Sequence, residues 1–127
     1  MARIMRAEAL GEGDVGMLLV GNVVVNRVKA QCGPFKKIKT VRGAIYQKSQ
    51  FEGVGKPLFN KSPTTHEKNL AKKCLDYYTK WPAKKALFFK NPGKGVSCPK
   101  TFFGPFIGRY KLHCFFGPEG DASKCKI

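Results

Sequence analysis

The sequence predicts a small single α+β domain over residues 1–127, with a helical core and a short antiparallel β-sheet in its C-terminal part. Three observations predict it. The chain has 127 residues, 43% of them apolar and 12% aromatic, enough for one modest core and too few for two ordinary domains. Its first two thirds carry helix signals, a long apolar segment after Asp14 and a capping pattern at Thr64 to Glu67. Its last third alternates in the manner of strands from Phe106 to Phe116.

The elements follow in order. Arg3 to Ala9 is a short helix in which Glu8 follows Ile4 at helical spacing and shares its inward face. A carboxyl drawn partly out of water has its neutral form favoured, so it can keep a proton to donate. The alternative for Glu8 is a solvated residue paired with Arg3 or Arg6. After the corner Gly11-Glu12-Gly13, Asp14 is the expected N-cap of a buried helix to about Lys29, too long for a typical strand despite its valines. Gly16 and Gly21 cost helix propensity and mark places where another backbone comes close. Asn26 and Arg27, polar groups on an apolar element, are expected to tie the helix to neighbouring backbone or to the glutamate corner.

Cys32-Gly33-Pro34 ends that helix, a basic connector follows, and Thr40 caps a short helix, Val41 to Tyr46, with Val41, Ala44 and Ile45 inward. Gln47 to Gly53 is irregular chain. It sets two amides, Gln47 and Gln50, beside Phe51, the chemistry used to hold sugars and also that of an ordinary polar loop. Thr64 and Glu67 open a helix expected to reach Tyr78, with Leu70, Cys74, Leu75 and Tyr78 inward, Lys68, Lys72 and Lys73 in water, and Trp81-Pro82 as its stop. Ala86 to Phe89 reads as a strand closed by Asn91-Pro92-Gly93. Phe106 to Phe116 reads as one bent strand or two paired ones, and the tail from Gly117 as loose unless Cys125 anchors it.

Composition bounds function. With 24 Lys plus Arg against 8 Asp plus Glu, the formal charge of +16 calls for a polyanionic partner: nucleic acid, anionic membrane or acidic wall polymer. The longest apolar segment, Met17 to Val28, is interrupted by Gly21, Asn22, Asn26 and Arg27, so no membrane span is expected. No cleaved leader is legible at the start. Five cysteines, at 32, 74, 98, 114 and 125, leave at least one thiol unpaired in a monomer, and Cys74 is the expected one because it falls on an apolar helix face. A zinc site of Cys98, His113, Cys114 and Cys125 lacks the close ligand pairs such sites show, so no metal and no cofactor is expected. A Cys114–His113 nucleophile pair fails because neighbours on a strand point to opposite faces.

The order of landmarks adds a resemblance. Arg6-Ala-Glu8-Ala-Leu-Gly11-Glu12-Gly13, Gly16 to Arg27, Ile45-Tyr46-Gln47 with Gln50-Phe51, Asn91-Pro92, and Ile107-Gly108 leading to His113-Cys114-Phe115 together resemble the SleB/CwlJ family of bacterial cell-wall hydrolases. Trp81-Pro-Ala and the cysteines 32, 98, 114 and 125 look most like its spore cortex-lytic CwlJ branch. The likeness spans nearly the whole chain. It implies a lysozyme-like, lytic-transglycosylase-like cleft and cleavage between N-acetylmuramic acid and N-acetylglucosamine in peptidoglycan. It implies a setting in the spore coat or cortex or the bacterial wall, while the high lysine content leaves a phage lysin open. A localising partner protein stays open as well.

On that resemblance Glu8 matches the general acid and Glu12 the second acidic residue of the motif, expected to orient rather than react. Tyr46, Gln47, Gln50 and Phe51 are candidates for one wall of the substrate cleft, Asn91 and His113 for the other. A lone histidine in an apolar strand is nevertheless more often a satisfied core residue. Glycosidic cleavage needs an acid and usually a second carboxylate. Asp14, Glu67, Asp76, Glu119 and Asp121 each have another expected place, so only Glu12 and Glu52 remain as partners for Glu8. If neither faces it, one carboxyl serves as acid and then base while the sugar's own 6-hydroxyl closes a ring. Two rivals stay open: a basic nucleic-acid-binding module, against which the lysines are scattered and no motif is present, and a wall-binding module without activity.

Overall fold

The computed structural model describes residues 1–47, 50–120 and 124–127. Lys48 and Ser49 of the polar loop, and Asp121 of the tail, lie outside the described residues. Among the described residues five α-helices precede three strands: α1 (Ala2–Ala9), α2 (Gly13–Ala30), α3 (Val41–Tyr46), α4 (Pro57–Asn60), α5 (Thr65–Leu75), then β1 (Phe88–Lys90), β2 (Phe106–Tyr110) and β3 (His113–Phe116).

α2 is the spine. A helix apolar all round must be enclosed, and α1, α3, α5 and β1 all pack on α2. Met17, Leu18, Leu19, Val20, Val23 and Val24 are buried on its several sides. Polar residues of α2 then fasten an irregular stretch that no ladder supports. Asn22 donates to Tyr78 O at 2.7 Å and accepts from Lys80 N–H at 2.9 Å. Asn26 donates to the carbonyls of Ala83 and Ala86, both at 2.9 Å, and Arg27 Nε to Leu87 O at 2.8 Å. The expectation that Asn26 and Arg27 tie α2 to neighbouring backbone holds.

The sheet has the order β1-β3-β2, antiparallel throughout, with β3 in the centre and buried along its length. Phe106 to Phe116 is therefore two paired strands. The pairing of β2 with β3 shifts between Phe106 and Gly108. At Gly108 a side chain would meet the Trp81 ring at 2.5 Å, so only glycine fits.

Two disulfides, Cys32–Cys125 and Cys98–Cys114, tie the tail to the end of α2 and a loop to the central strand. Lys126 N–H adds a bond to Ala30 O at 2.9 Å, so the tail is anchored as expected. Cys74 is the free thiol, buried, donating to Leu18 O at 3.4 Å, and burial pushes it up to about 11.

Thr40 caps α3 by accepting from Gly43 N–H, and the Thr64 and Glu67 capping box is fully formed. Other expectations need correction. Asp14 is not a cap: α2 begins at Gly13, and Asp14 instead pairs with His66 Nε2 at 2.8 Å. α5 stops at Leu75, well before Trp81-Pro82, because Tyr77 takes a left-handed φ of 67°. Leu75 and Tyr78 are consequently exposed while Leu70 and Cys74 are buried. Ala86 and Leu87 lead into β1 without joining it. Gly16 and Gly21 mark close approaches of side chains more than backbone: a Cβ added at either would stand 2.5 Å from its neighbour, Glu12 Cβ for Gly16 and Cys74 Sγ for Gly21.

Candidate active site

Two pieces of chain meet around Glu8: the last turn of α1 and the Phe51 to Gly55 segment. Ile4 sits fully buried one turn earlier and fixes the face on which Glu8 emerges half-buried. Neither Arg3 nor Arg6 pairs with Glu8. Arg3 donates to the carbonyls of Phe59 and Asn60, and Arg6 bonds Glu67 Oε1 at 2.9 Å and carbonyls of the 58–62 segment. Glu8 Oε1 instead accepts the Gly53 backbone N–H at 2.7 Å. A side chain at Gly53 would sit 2.8 Å from that same oxygen. Glycine is thus needed for the carboxylate to lie against the backbone here.

Glu12, one short 3-10 turn later, has a different environment. It is 5% exposed, its Oε1 bonds His113 Nδ1, and its Oε2 accepts Leu112 N–H at 2.7 Å. Lys111 Nζ reaches its carbonyl at 3.3 Å. Burial pushes the Glu12 carboxyl up, but the hydrogen bond and charge of His113 and the backbone N–H groups of Leu112 and His113 outweigh it, and the group lies below its ordinary value.

The residues expected to line the cleft scatter. Phe51 is buried at 7% exposure, stacked on Phe89 at 5.8 Å, so its ring belongs to the core and is no open sugar platform. Gln47 turns away to donate to Pro34 O at 2.9 Å, while Gln50 is half-buried beside Phe51. Tyr46 is exposed and lines a cavity of about 230 Å³ with Met1, Arg3 and Phe59, a set without Glu8. A second cavity of about 360 Å³ lies beside the Cys32–Cys125 bridge. Asn91 accepts Gly93 N–H within an exposed turn. His113 is 6% exposed and occupied by Glu12, the core reading of that residue. Glu12 and His113 therefore meet each other rather than opposite walls.

Sequence reasoning missed Gly53 and the extent of the Arg27 contacts. The Arg27 guanidinium lies 4.7, 4.5 and 5.4 Å from the ring centres of Phe35, Phe51 and Phe88. The aromatic residues at positions 35, 51 and 88 are visible in the sequence, but nothing local joins them to position 27. Among the described residues no group of three or more His, Cys, Asp or Glu is placed to hold a metal ion. Among the described residues no helix is long and apolar enough to cross a membrane.

Residues 11–116 match the family described as Cell Wall Hydrolase. The chain belongs to that family. This cell wall hydrolase is thus an enzyme that cleaves peptidoglycan, and the resemblance read from its motifs is shown. It is 43% identical over 122 residues to the cell wall hydrolase CwlJ of Bacillus subtilis (strain 168), covering 95% of this chain and 84% of that protein. It is 42% identical over 120 residues to CwlJ of Oceanobacillus iheyensis, covering 93% and 84%. Among solved structures it is similar to the catalytic domain of the germination-specific lytic transglycosylase SleB from Bacillus anthracis, with a TM-score of 0.71, 25% identity, and 91% and 89% coverage. The catalytic domain of Bacillus cereus SleB gives the same TM-score and identity, covering 91% and 85%. The α+β fold class, helical with a three-stranded antiparallel sheet, is thereby shown. The family match begins after Glu8, whereas the match to the Bacillus subtilis protein leaves too little of the chain uncovered to omit position 8.

Proposed function

We propose that this cell wall hydrolase breaks the glycosidic bond between N-acetylmuramic acid and N-acetylglucosamine, as a lytic transglycosylase, with Glu8 as both acid and base. The observation that carries the reading is the contrast in how the two motif carboxylates are held. Glu8 has one oxygen on Gly53 N–H and stays half-exposed, and its other oxygen, unbonded among the described residues, is open to a substrate. Glu12 has both oxygens bonded and is buried, which removes it as a second catalytic carboxylate. Protonated Glu8 gives its proton to the oxygen leaving C1 as the C1–O bond breaks. The resulting carboxylate takes the proton of the muramic 6-hydroxyl as that oxygen bonds C1, closing a 1,6-anhydro ring and returning the proton to Glu8. No water enters the product.

The natural polymer is then spore cortex or vegetative wall, and the +16 charge suits its anionic surface. That charge serves the nucleic-acid reading equally, and membership of the cell wall hydrolase family supports the wall polymer. The wall or spore coat is the proposed location, in one catalytic domain spanning 1–127.

Mass spectrometry of purified peptidoglycan digests tests the scheme. Anhydro-muramic ends are expected from the wild type and none from Glu8→Gln. Glu52 is exposed and directly precedes Gly53, the residue that holds Glu8. Reducing muramic ends that vanish in Glu52→Gln would overturn transglycosylation and make Glu52 the base for a hydrolytic water.

A further inference from the structure

α2 carries one charged group whose burial its helix-fastening role does not explain. Arg27 is 2% exposed. Among the described residues a single carbonyl, Leu87 O, takes its Nε at 2.8 Å, and its Nη1 is buried without a hydrogen-bond partner. Arg6, the other buried arginine, also leaves one buried nitrogen, Nε, without a partner, but it has a carboxylate, Glu67, and several carbonyls. Arg27 has instead three phenyl rings, Phe35, Phe51 and Phe88. Ring faces attract a cation but do not neutralise it, so its field extends to an acid. That acid is Glu8: burial pulls Arg27 below the usual guanidinium range, and the charge of Glu8 works in the opposite direction.

The contacts form a chain. The Arg27 guanidinium packs on the Phe51 ring at 4.5 Å; Phe51 immediately precedes the 3-10 turn Glu52–Gly55; and Gly53 of that turn supplies the N–H that Glu8 accepts. Phe51 also stacks on Phe89, with ring centres 5.8 Å apart and planes 26° from parallel. The turn's position therefore depends on a ring that packs on both a cation and another ring.

We propose that Arg27 is a positioning residue for cleavage: it clamps Phe51, so that the Gly53 N–H holds the Glu8 carboxylate in place, and its unneutralised charge acts on that carboxylate. This rests on the assignment of Glu8 as the reacting acid. Arg27 touches no substrate. Its two contributions, mechanical and electrostatic, separate by substitution. Phe51→Leu removes the clamp and keeps the charge. Arg27→Met keeps much of the packing and removes the charge, and Arg27→Lys keeps charge without the planar stack.

The test is kcat and KM on purified peptidoglycan, read beside the Gly53 amide resonance of the folded protein followed by NMR. Arg27→Met is expected to lower kcat by about 10²-fold with KM little changed, the scale of a small misplacement of a reacting group, and to shift the Gly53 resonance. Phe51→Leu, which keeps the charge, loses less, and Arg27→Lys falls between wild type and Arg27→Met. A purely structural Arg27 would change melting temperature and leave kcat and the Gly53 resonance where they are, which overturns the proposal. If Arg27→Met does not fold, Arg27→Lys and Phe51→Leu decide: wild-type rates in both overturn it. Full activity in Glu8→Gln would sink the Glu8 assignment instead, a result distinct from an unchanged kcat in Arg27→Met of a chain whose Glu8→Gln is dead.

Discussion

Glu8 and Glu12 stand four residues apart in one motif and are held in opposite ways. Glu8 leaves the last turn of α1 half-exposed, with one backbone N–H on one oxygen. Glu12 turns inward at the next corner, 5% exposed, and binds His113 and Leu112 N–H across from the β2–β3 turn. A buried carboxylate persists only with its oxygens satisfied, and satisfying them removes it from chemistry. The difference teaches how a short motif divides labour: the second glutamate fastens the helical part to the sheet, and the first is left with an oxygen to use.

Exchanging each for its amide puts that contrast at risk. Glu8→Gln is expected to lower the rate of peptidoglycan cleavage by about 10²- to 10⁴-fold, the span of a lost general acid, with thermal melting little changed. Glu12→Gln is expected to cost about 3 kcal/mol of stability, since removing one partner strands the other in the interior. Denaturant midpoints beside activity assays read both. If Glu12→Gln melts like wild type and loses activity, the two roles are reversed.

How much of this the sequence carries depends on the range of each interaction. The capping box at Thr64, the cap at Thr40, the spine helix and the paired strands of the last third are local patterns and are legible in it. So is the free Cys74, since one helix face decides it. Asp14 misleads because a capping residue type before a helix competes with tertiary pairing, here with His66. Glu8 stands out in the sequence through its motif, but its hydrogen-bond donor, Gly53, lies 45 residues on and offers no side chain to notice. His113 and Glu12 each stand out in the sequence, yet a contact across 101 residues cannot be read from either neighbourhood. Phe51 has the right residue type for a sugar platform and the wrong burial.

Gly53→Ala sharpens the comparison from the other side. The added methyl would lie 2.8 Å from Glu8 Oε1 and 3.0 Å from Ala7 Cβ, so the carboxylate or the turn must shift. The expected result is roughly a tenfold loss in rate or more, a smaller effect than deleting the acid because the group is displaced and not removed. Stability should change by about 1 kcal/mol or less, as for most substitutions in a turn away from the main core. A variant with wild-type rate would mean that the Gly53 contact does not govern where Glu8 works.

The mildest test is acid. Burial raises the Glu12 carboxyl, yet its bonds to His113 and to backbone N–H groups leave it below its ordinary value of 4.5 in the folded chain. A carboxyl depressed by folding contributes stability that is complete above the unfolded value and is lost as pH falls through the folded one. Denaturant midpoints should therefore fall below about pH 4.5 in the wild type, and fall less steeply in Glu12→Gln, where no carboxyl remains at that corner to be protonated. Other acids contribute to both curves alike, so the difference in slope belongs to Glu12. Parallel curves would mean that Glu12 gains nothing from His113 and Leu112, and the fastening that separates it from Glu8 would have to be sought in packing alone.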